Sequence, residues 1–297
     1  FQIGSLEDEP ERSSSEGPQH SVTIGQGFWL FDTTCTQALW EAVMGENPSQ
    51  FKGAERPVEN VSWNDCQDFI KLLNKRLSGL DLTLPSEAQW EYACRAGTTT
   101  PFSFGANITP EQVNYDGNNP YVGSKKGLYR QETVPVASLP PNPWGLYEMH
   151  GNVREWCQDH WHSNYRGAPT DGSAWLRLSR DAGANRVLRG GSWNSDARYV
   201  RAAYRGALLP DYRVDSIGFR CIRVRGEPSQ KGVESARPAR VRQAERRPEQ
   251  VQTGGATGAE PTLLRLDAVP LQDRCPLPQT PAFLIRTDRE HLTFCSL

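Results

Sequence analysis

The sequence predicts one large α+β domain with sparse regular structure and long loops, followed by a tail of different composition. Three observations carry this prediction. Three short helix patterns, each preceded by a hydroxyl residue, crowd into the first third of the chain. Elsewhere only short strand candidates stand out. The 297 residues include 26 glycines, 22 prolines and 9 tryptophans, which suits turns and loops held by aromatic packing better than a helical bundle.

The elements follow in order. Phe1-Gln2-Ile3-Gly4-Ser5 reads as a strand ending in a turn, and its abruptness suggests a start inside a longer protein. Residues 20–31 alternate loosely and read as strands around a turn. Thr36 caps a first helix, with Leu39, Trp40 and Val43 apolar, ending near Gly45. Ser62 caps a second, whose inner face is Cys66, Phe69, Ile70 and Leu73 at spacings of three and four. Ser86 caps a third, with Trp90, Ala93 and Cys94 inward and Glu87 and Glu91 near its positive end. Residues 98–185 read mostly as loop, and a loop of that length inside a compact fold is often functional. Strand candidates follow at 186–189, 200–204 and 217–224.

Composition changes near Arg225. The domain is expected to span 1–225, with a linker or poorly ordered stretch over 226–260 that has no aromatic residue. Residues 261–297 regain some apolar content, too little for a free-standing core, and are expected to add a hairpin to the main domain.

Lysine and arginine total 33 against 35 acidic residues, so a net charge of −2 leaves no global footprint for nucleic acid or anionic membrane. No apolar run is long enough to span a membrane and no signal peptide is evident, so a cytoplasmic location is the default expectation. The 7 cysteines are scattered and none forms a Cys-x-x-Cys pair, which argues for buried thiols with at most one bridge rather than zinc.

Several segments in one order resemble the formylglycine-generating enzyme family, also called sulfatase-modifying factors. They are Phe1–Ser5, Trp40-Glu41-Ala42-Val43-Met44-Gly45, Val61-Ser62-Trp63, Leu84-Pro85-Ser86-Glu87-Ala88-Gln89-Trp90-Glu91-Tyr92-Ala93, Gly145-Leu146-Tyr147-Glu148-Met149-His150-Gly151-Asn152-Val153-Arg154-Glu155-Trp156, Arg189-Gly190-Gly191-Ser192-Trp193 and Gly218-Phe219-Arg220-Cys221. The resemblance covers about 1–225 and implies a C-type-lectin-like fold of the formylglycine-generating enzyme type. In oxidase members of such a family a copper-binding cysteine pair lies between the Gly-Gly-Ser-Trp turn and the Gly-Phe-Arg-Cys strand. Here residues 194–220 hold no cysteine: Ser195 stands about where the first thiol would be, and Arg201 where a further one would lie. Oxidase activity is therefore not expected, and no cofactor is required. A related branch uses histidine-bound iron, and His160 and His162 lack the third ligand such a site needs.

The same fold resembles the variable proteins of diversity-generating retroelements, whose ligand-binding cassette matches residues 186–221 here. In this segment tyrosine and aliphatic residues mix with small polar ones, as in adaptable binding surfaces. The expected contact residues are Ser195, Asp196, Tyr199, Tyr204, Gly206, Ala207, Leu208, Leu209, Tyr212, Val214, Asp215 and Ser216. The expected ligand is a protein or other macromolecule. Arg198, Arg201, Arg205 and Arg213 are read as framing this surface, with Arg189, Arg201 and Arg220 alternatively internal and paired with Glu155 or Asp159. A competing reading is a structural or regulatory domain of a larger protein, such as a kinase, without catalysis.

The resemblance also implies a structural calcium at His150, Gly151, Asn152, Val153 and Glu155, where Glu155 alternatively accepts only backbone or arginine hydrogen bonds. Trp63, Trp90, Trp144, Trp156 and Trp193 are expected in the core.

Overall fold

A computed structural model describes residues 1–77, 79–177 and 184–224, together with the backbone of strands at 265–267, 283–286 and 291–296. The elements in chain order are β1 (Gln2–Ile3), β2 (His20–Ser21), β3 (Phe28–Phe31), α1 (Gln37–Met44), α2 (Trp63–Arg76), β4 (Leu82–Thr83), α3 (Glu87–Arg95), β5 (Arg154–His160), β6 (Arg186–Arg189), β7 (Gly206–Leu208), β8 (Ile217–Gly218), β9 (Ile222–Val224), β10 (Arg265–Asp267), β11 (Phe283–Arg286) and β12 (His291–Ser296).

The three helices start where their capping side chains satisfy orphan backbone donors. Thr36 accepts from the Leu39 amide, and Gly45 ends α1 at φ 84°, its N–H donating to Glu41. Ser62 with Asp65, and Ser86 with Gln89, form reciprocal capping boxes on α2 and α3. The buried face of α2 is Cys66, Phe69, Ile70 and Leu73, as the spacing predicts. Trp40 of α1 stacks on Phe69 at 5.2 Å, and Phe219 meets both rings edge-on. Truncating Phe69 to alanine would cost about 3–5 kcal/mol, because it leaves a cavity among these buried rings.

The strands form three sheets. β1 pairs with β2; β10-β11-β12-β3-β9-β4 is a six-stranded sheet; β7-β6-β5-β8 is a four-stranded sheet with β5 and β8 parallel. β2 and β3 do not pair with each other, so residues 20–31 are not a hairpin: β2 returns to β1, and β3 crosses to β9. β11 and β12 pair as a hairpin, and β12 pairs with β3. The expected linker at 226–260 lies outside the described residues.

Other expectations need correction. Residues 200–204 are not a strand: a 3₁₀ turn spans Ala197–Val200, and Val200, Ala202 and Ala203 fill the core from irregular backbone. The region 98–185 contains a seven-residue strand, β5, buried on both faces and so without an alternating pattern. Trp63 and Trp144 are only half-buried, and the Arg186 guanidinium covers Trp63 at 3.9 Å. Trp90, Trp156 and Trp193 are buried as expected. Cys66, Cys94, Cys157 and Cys221 are buried free thiols, and Cys35 is buried as well.

Candidate functional site

The segment from β6 to β8 is fastened at its start by a turn that only glycine fits. Gly190 and Gly191 have φ of 89° and 67°, and a Cβ on Gly191 would lie 2.4 Å from Val200 Cγ1 and 2.6 Å from the Tyr199 carbonyl. This lets residues 199–200 close directly over the turn.

On its inner side the segment carries a ladder of buried arginines. Arg189 pairs with Glu91 and Glu87 of α3, and also donates to the Ala202, Ala203 and Tyr204 carbonyls. Arg201 bonds both oxygens of Glu16, Glu9 Oε1 and the Glu11 carbonyl. Arg205 forks onto Glu87 at 2.5 and 2.8 Å and reaches the Ser15 and His162 carbonyls. Arg220 forks onto Glu155 at 2.8 Å through both nitrogens. The alternative of internal arginines holds for Arg220 with Glu155, but the acids opposite Arg189 and Arg201 are different ones. Burial pushes the Glu87 carboxyl up and its arginines pull it lower, leaving it below the ordinary range. Asp159, buried beside Glu87 without an arginine fork, is pushed up to about 7, chiefly by burial.

Two of the twelve expected contact residues belong to this interior. Ser195 is 2% exposed, and its Oγ accepts from the Ser192 amide. Ser216 is 2% exposed, and its carbonyl accepts from the Arg154 amide. Both serines hold the loop rather than meeting solvent. Likewise Arg201 and Arg205 do not frame the surface, whereas Arg198 and Arg213 do.

The outer side is different in kind. Leu209 and Tyr212 are 49% and 47% exposed. Asp196, Tyr199, Tyr204, Gly206, Ala207, Leu208, Val214 and Asp215 are half-buried. Tyr199 and Tyr204 pack with ring centroids 4.9 Å apart, and Arg198 covers Tyr199 at 4.4 Å. Leu208 and Val214 root the rim in the core around α1 and α2. The Pro210 carbonyl accepts from the Asn64 amide, and Arg213 forks onto Asp65, so the 209–213 loop is tied to the start of α2. Trp193 sits beside this rim and donates to the Asp215 carbonyl at 3.1 Å. Its ring neighbours Phe51 and Tyr129 are far away in sequence, and no local pattern marked them.

The residues at the copper position do not fit copper(I). Ser195 offers a hydroxyl already bonded to Ser192, and Arg201 offers a cation, where soft thiolates are needed. In the His150–Glu155 turn most side-chain donors are also engaged. His150 is bonded to the Val200 carbonyl and the Ser103 amide, and burial pushes its pKa down to about 4. Asn152 Oδ1 accepts from Asn114 and Val134, and both Glu155 oxygens are held by Arg220, with Trp90 adding a third bond. Gly151 and Val153 could contribute only carbonyls. The carboxylate oxygen this turn leaves without a partner is Glu148 Oε1, and burial lifts Glu148 to about 7. His160 and His162 do not converge: His160 Nδ1 accepts from the Arg177 amide, and His162 stacks on Trp175 at 3.7 Å. Among the described residues no three His, Cys, Asp or Glu side chains are grouped as a metal site.

Three capped helices, short strands and a terminal loop anchored by arginines define an α+β, loop-rich domain of the formylglycine-generating enzyme type. The chain belongs to that family: residues 1–225 match the sulfatase-modifying factor enzyme 1-like domain. It is 31% identical to the formylglycine-generating enzyme of Mus musculus over 210 residues, 68% of this chain and 52% of that protein. The chain thus spans about half the length of that curated relative. Among solved structures it is similar to PvdO from Pseudomonas aeruginosa, with TM-score 0.66 and 31% identity over 75% of this chain and 90% of that one. Treponema denticola variable protein 1 gives TM-score 0.62 and 29% identity over 75% and 91%.

Proposed function

We propose that this chain is a non-catalytic recognition domain of the sulfatase-modifying-factor type, a binding or regulatory module that takes a protein or other macromolecule on the outer side of residues 196–215. One observation carries the reading: a single segment is divided into a buried, ion-paired arginine ladder and an outer tyrosine- and leucine-rich rim. Such a rim supplies rigid contact area with little entropy to lose, whereas the donors needed for copper chemistry are replaced by a hydroxyl and guanidinium groups. A photo-crosslinker at position 212, with a second one at exposed Leu72 as control, tests the reading in an extract of the source cells. The expected result is one discrete adduct from position 212 only, lost on Leu209→Ala. Adducts identical from both positions, or unaffected by Leu209→Ala, would overturn it.

A second reading makes the rim a diversified cassette, and the likeness to Treponema denticola variable protein 1 favours it. Its test is genomic. A near-copy of the 186–221 coding segment beside a reverse transcriptase, mismatched at template adenines in the Tyr199, Tyr204, Leu208, Leu209 and Tyr212 codons, would support it. No such copy would exclude it.

For the calcium that the family implies, Glu148 supplies the free oxygen. Melting in calcium against a chelator, with Glu148→Gln as control, tests this.

A further inference from the structure

Arginines cover aromatic faces at several places in this molecule: Arg186 on Trp63, Arg205 on Tyr165 and Arg198 on Tyr199, at 3.9, 4.1 and 4.4 Å. One aromatic group differs. Tyr129 lies nearly parallel to Trp193, at 16° and 6.2 Å between centroids, and Phe51 meets Trp193 edge-on at 5.3 Å. No arginine or lysine of the described residues covers these rings or pairs with the acids around them.

Those acids are three. Asp215 is half-buried, with its carbonyl fixed by the Trp193 indole and its carboxylate in no ion pair. The Asp116 carboxylate accepts from Asn118 and Asn119, and its amide donates to the Ser195 carbonyl. Burial, with the charges of Asp116 and Asp215 added, lifts the Tyr129 hydroxyl above its ordinary value, so both acids are within electrostatic reach of that ring. Glu59 stands behind Phe51: its Oε1 accepts from the Phe51 amide at 2.8 Å, and its Oε2 is buried without a partner. Lys52, whose charge reaches Glu59, donates its ammonium to the Asn47 carbonyl at 2.7 Å. The recess therefore has aromatic faces and carboxylates, and among the described residues no cation covers it, in contrast to Trp63, Tyr165 and Tyr199.

We infer that the recess of Trp193, Tyr129, Phe51 and Asp215 takes a cationic group of the ligand, an ammonium or guanidinium. A cation over an aromatic face with a carboxylate beside it gains from both, and the site loses little because its acids are already held in place. The inference rests on the proposed recognition face only for which ligand supplies the cation. The recess itself can be tested alone.

The test titrates the whole chain with choline, with methylguanidinium and with 3,3-dimethylbutan-1-ol, the uncharged carbon isostere of choline. The readout is the indole N–H resonance of Trp193, assigned by Trp193→Phe. The expected result is a saturable shift with both cations and binding of the isostere weaker by roughly tenfold, with Asp215→Asn weakening choline by about threefold and leaving the isostere unchanged. An isostere that binds as well as choline would show a merely apolar cleft and overturn the inference. So would the absence of a saturable shift at Trp193 in the folded chain. A cation that binds here while the crosslinking test fails would leave this site standing and remove the macromolecular reading; the reverse would do the opposite.

Discussion

The inner and outer sides of residues 186–221 obey different rules although they share one stretch of backbone. Inside, Arg189, Arg201, Arg205 and Arg220 are each fully buried against carboxylates and carbonyls from distant parts of the chain. Outside, Leu209 and Tyr212 are about half exposed, and Arg213 pairs with Asp65 at the surface. The difference teaches where sequence change is tolerated. A buried charge cannot lose its partner without stranding the other charge in a medium of low dielectric, whereas the rim residues can change with little effect on the fold.

The largest effect is expected at Arg201. Arg201→Met strands Glu16 and Glu9 together and should cost about 3–5 kcal/mol, read by urea denaturation. A loss under about 1 kcal/mol would mean that the inner side is no more demanding than the outer.

Next is the effect of pH. Asp159 and Glu148 are both pushed up to about 7, above their unfolded values, chiefly by burial. The folded state then binds protons more readily than the unfolded one between the ordinary carboxylate range and about pH 7. Their contribution is fully present below the ordinary range and is lost as pH rises to about 7. Each group gives a slope of about 1.4 kcal/mol per pH unit at most. Glu16, Glu87 and Asp65 are lowered and act in the opposite sense, losing stability as pH falls. Melting temperature should therefore fall between pH 5 and 7 and level off above, and Asp159→Asn should flatten the decline.

At the small end, Arg213→Ala removes a surface fork and should cost under about 1 kcal/mol. Leu209→Ala and Tyr212→Ala should each change stability by about 0.5 kcal/mol or less, and Leu209→Ala should remove the adduct formed from position 212. A variant at 212 that unfolds the chain would erase the contrast between the two sides.

Much of the frame was legible in the sequence. Thr36, Ser62 and Ser86 announce their helices, and the spacing of Cys66, Phe69, Ile70 and Leu73 gives the buried face correctly, because both signals are local. The strand predicted at 200–204 was wrong for a reason that is also local: Val200, Ala202 and Ala203 are apolar, but Arg201 between them is buried as well, so alternation did not mean one wet face. The partners of the arginines were not legible. Glu16 lies 185 residues from Arg201, and nothing in either neighbourhood pairs them. The same holds for Phe51, Tyr129 and Trp193, which only the fold brings to one recess.

The attachment of residues 9–16 to Arg201 also has a consequence during synthesis. The carboxylates of Glu9 and Glu16 wait for a guanidinium made some 185 residues later. Until then the amino-terminal segment has no counter-charge to bury against, and its native seat does not exist. Closure of the domain is thus a late event in the life of the nascent chain, set by long-range contacts rather than by its early helices. A translational pause before Arg201 would leave that segment open to chaperones and proteases, and a pause after Arg205 would not.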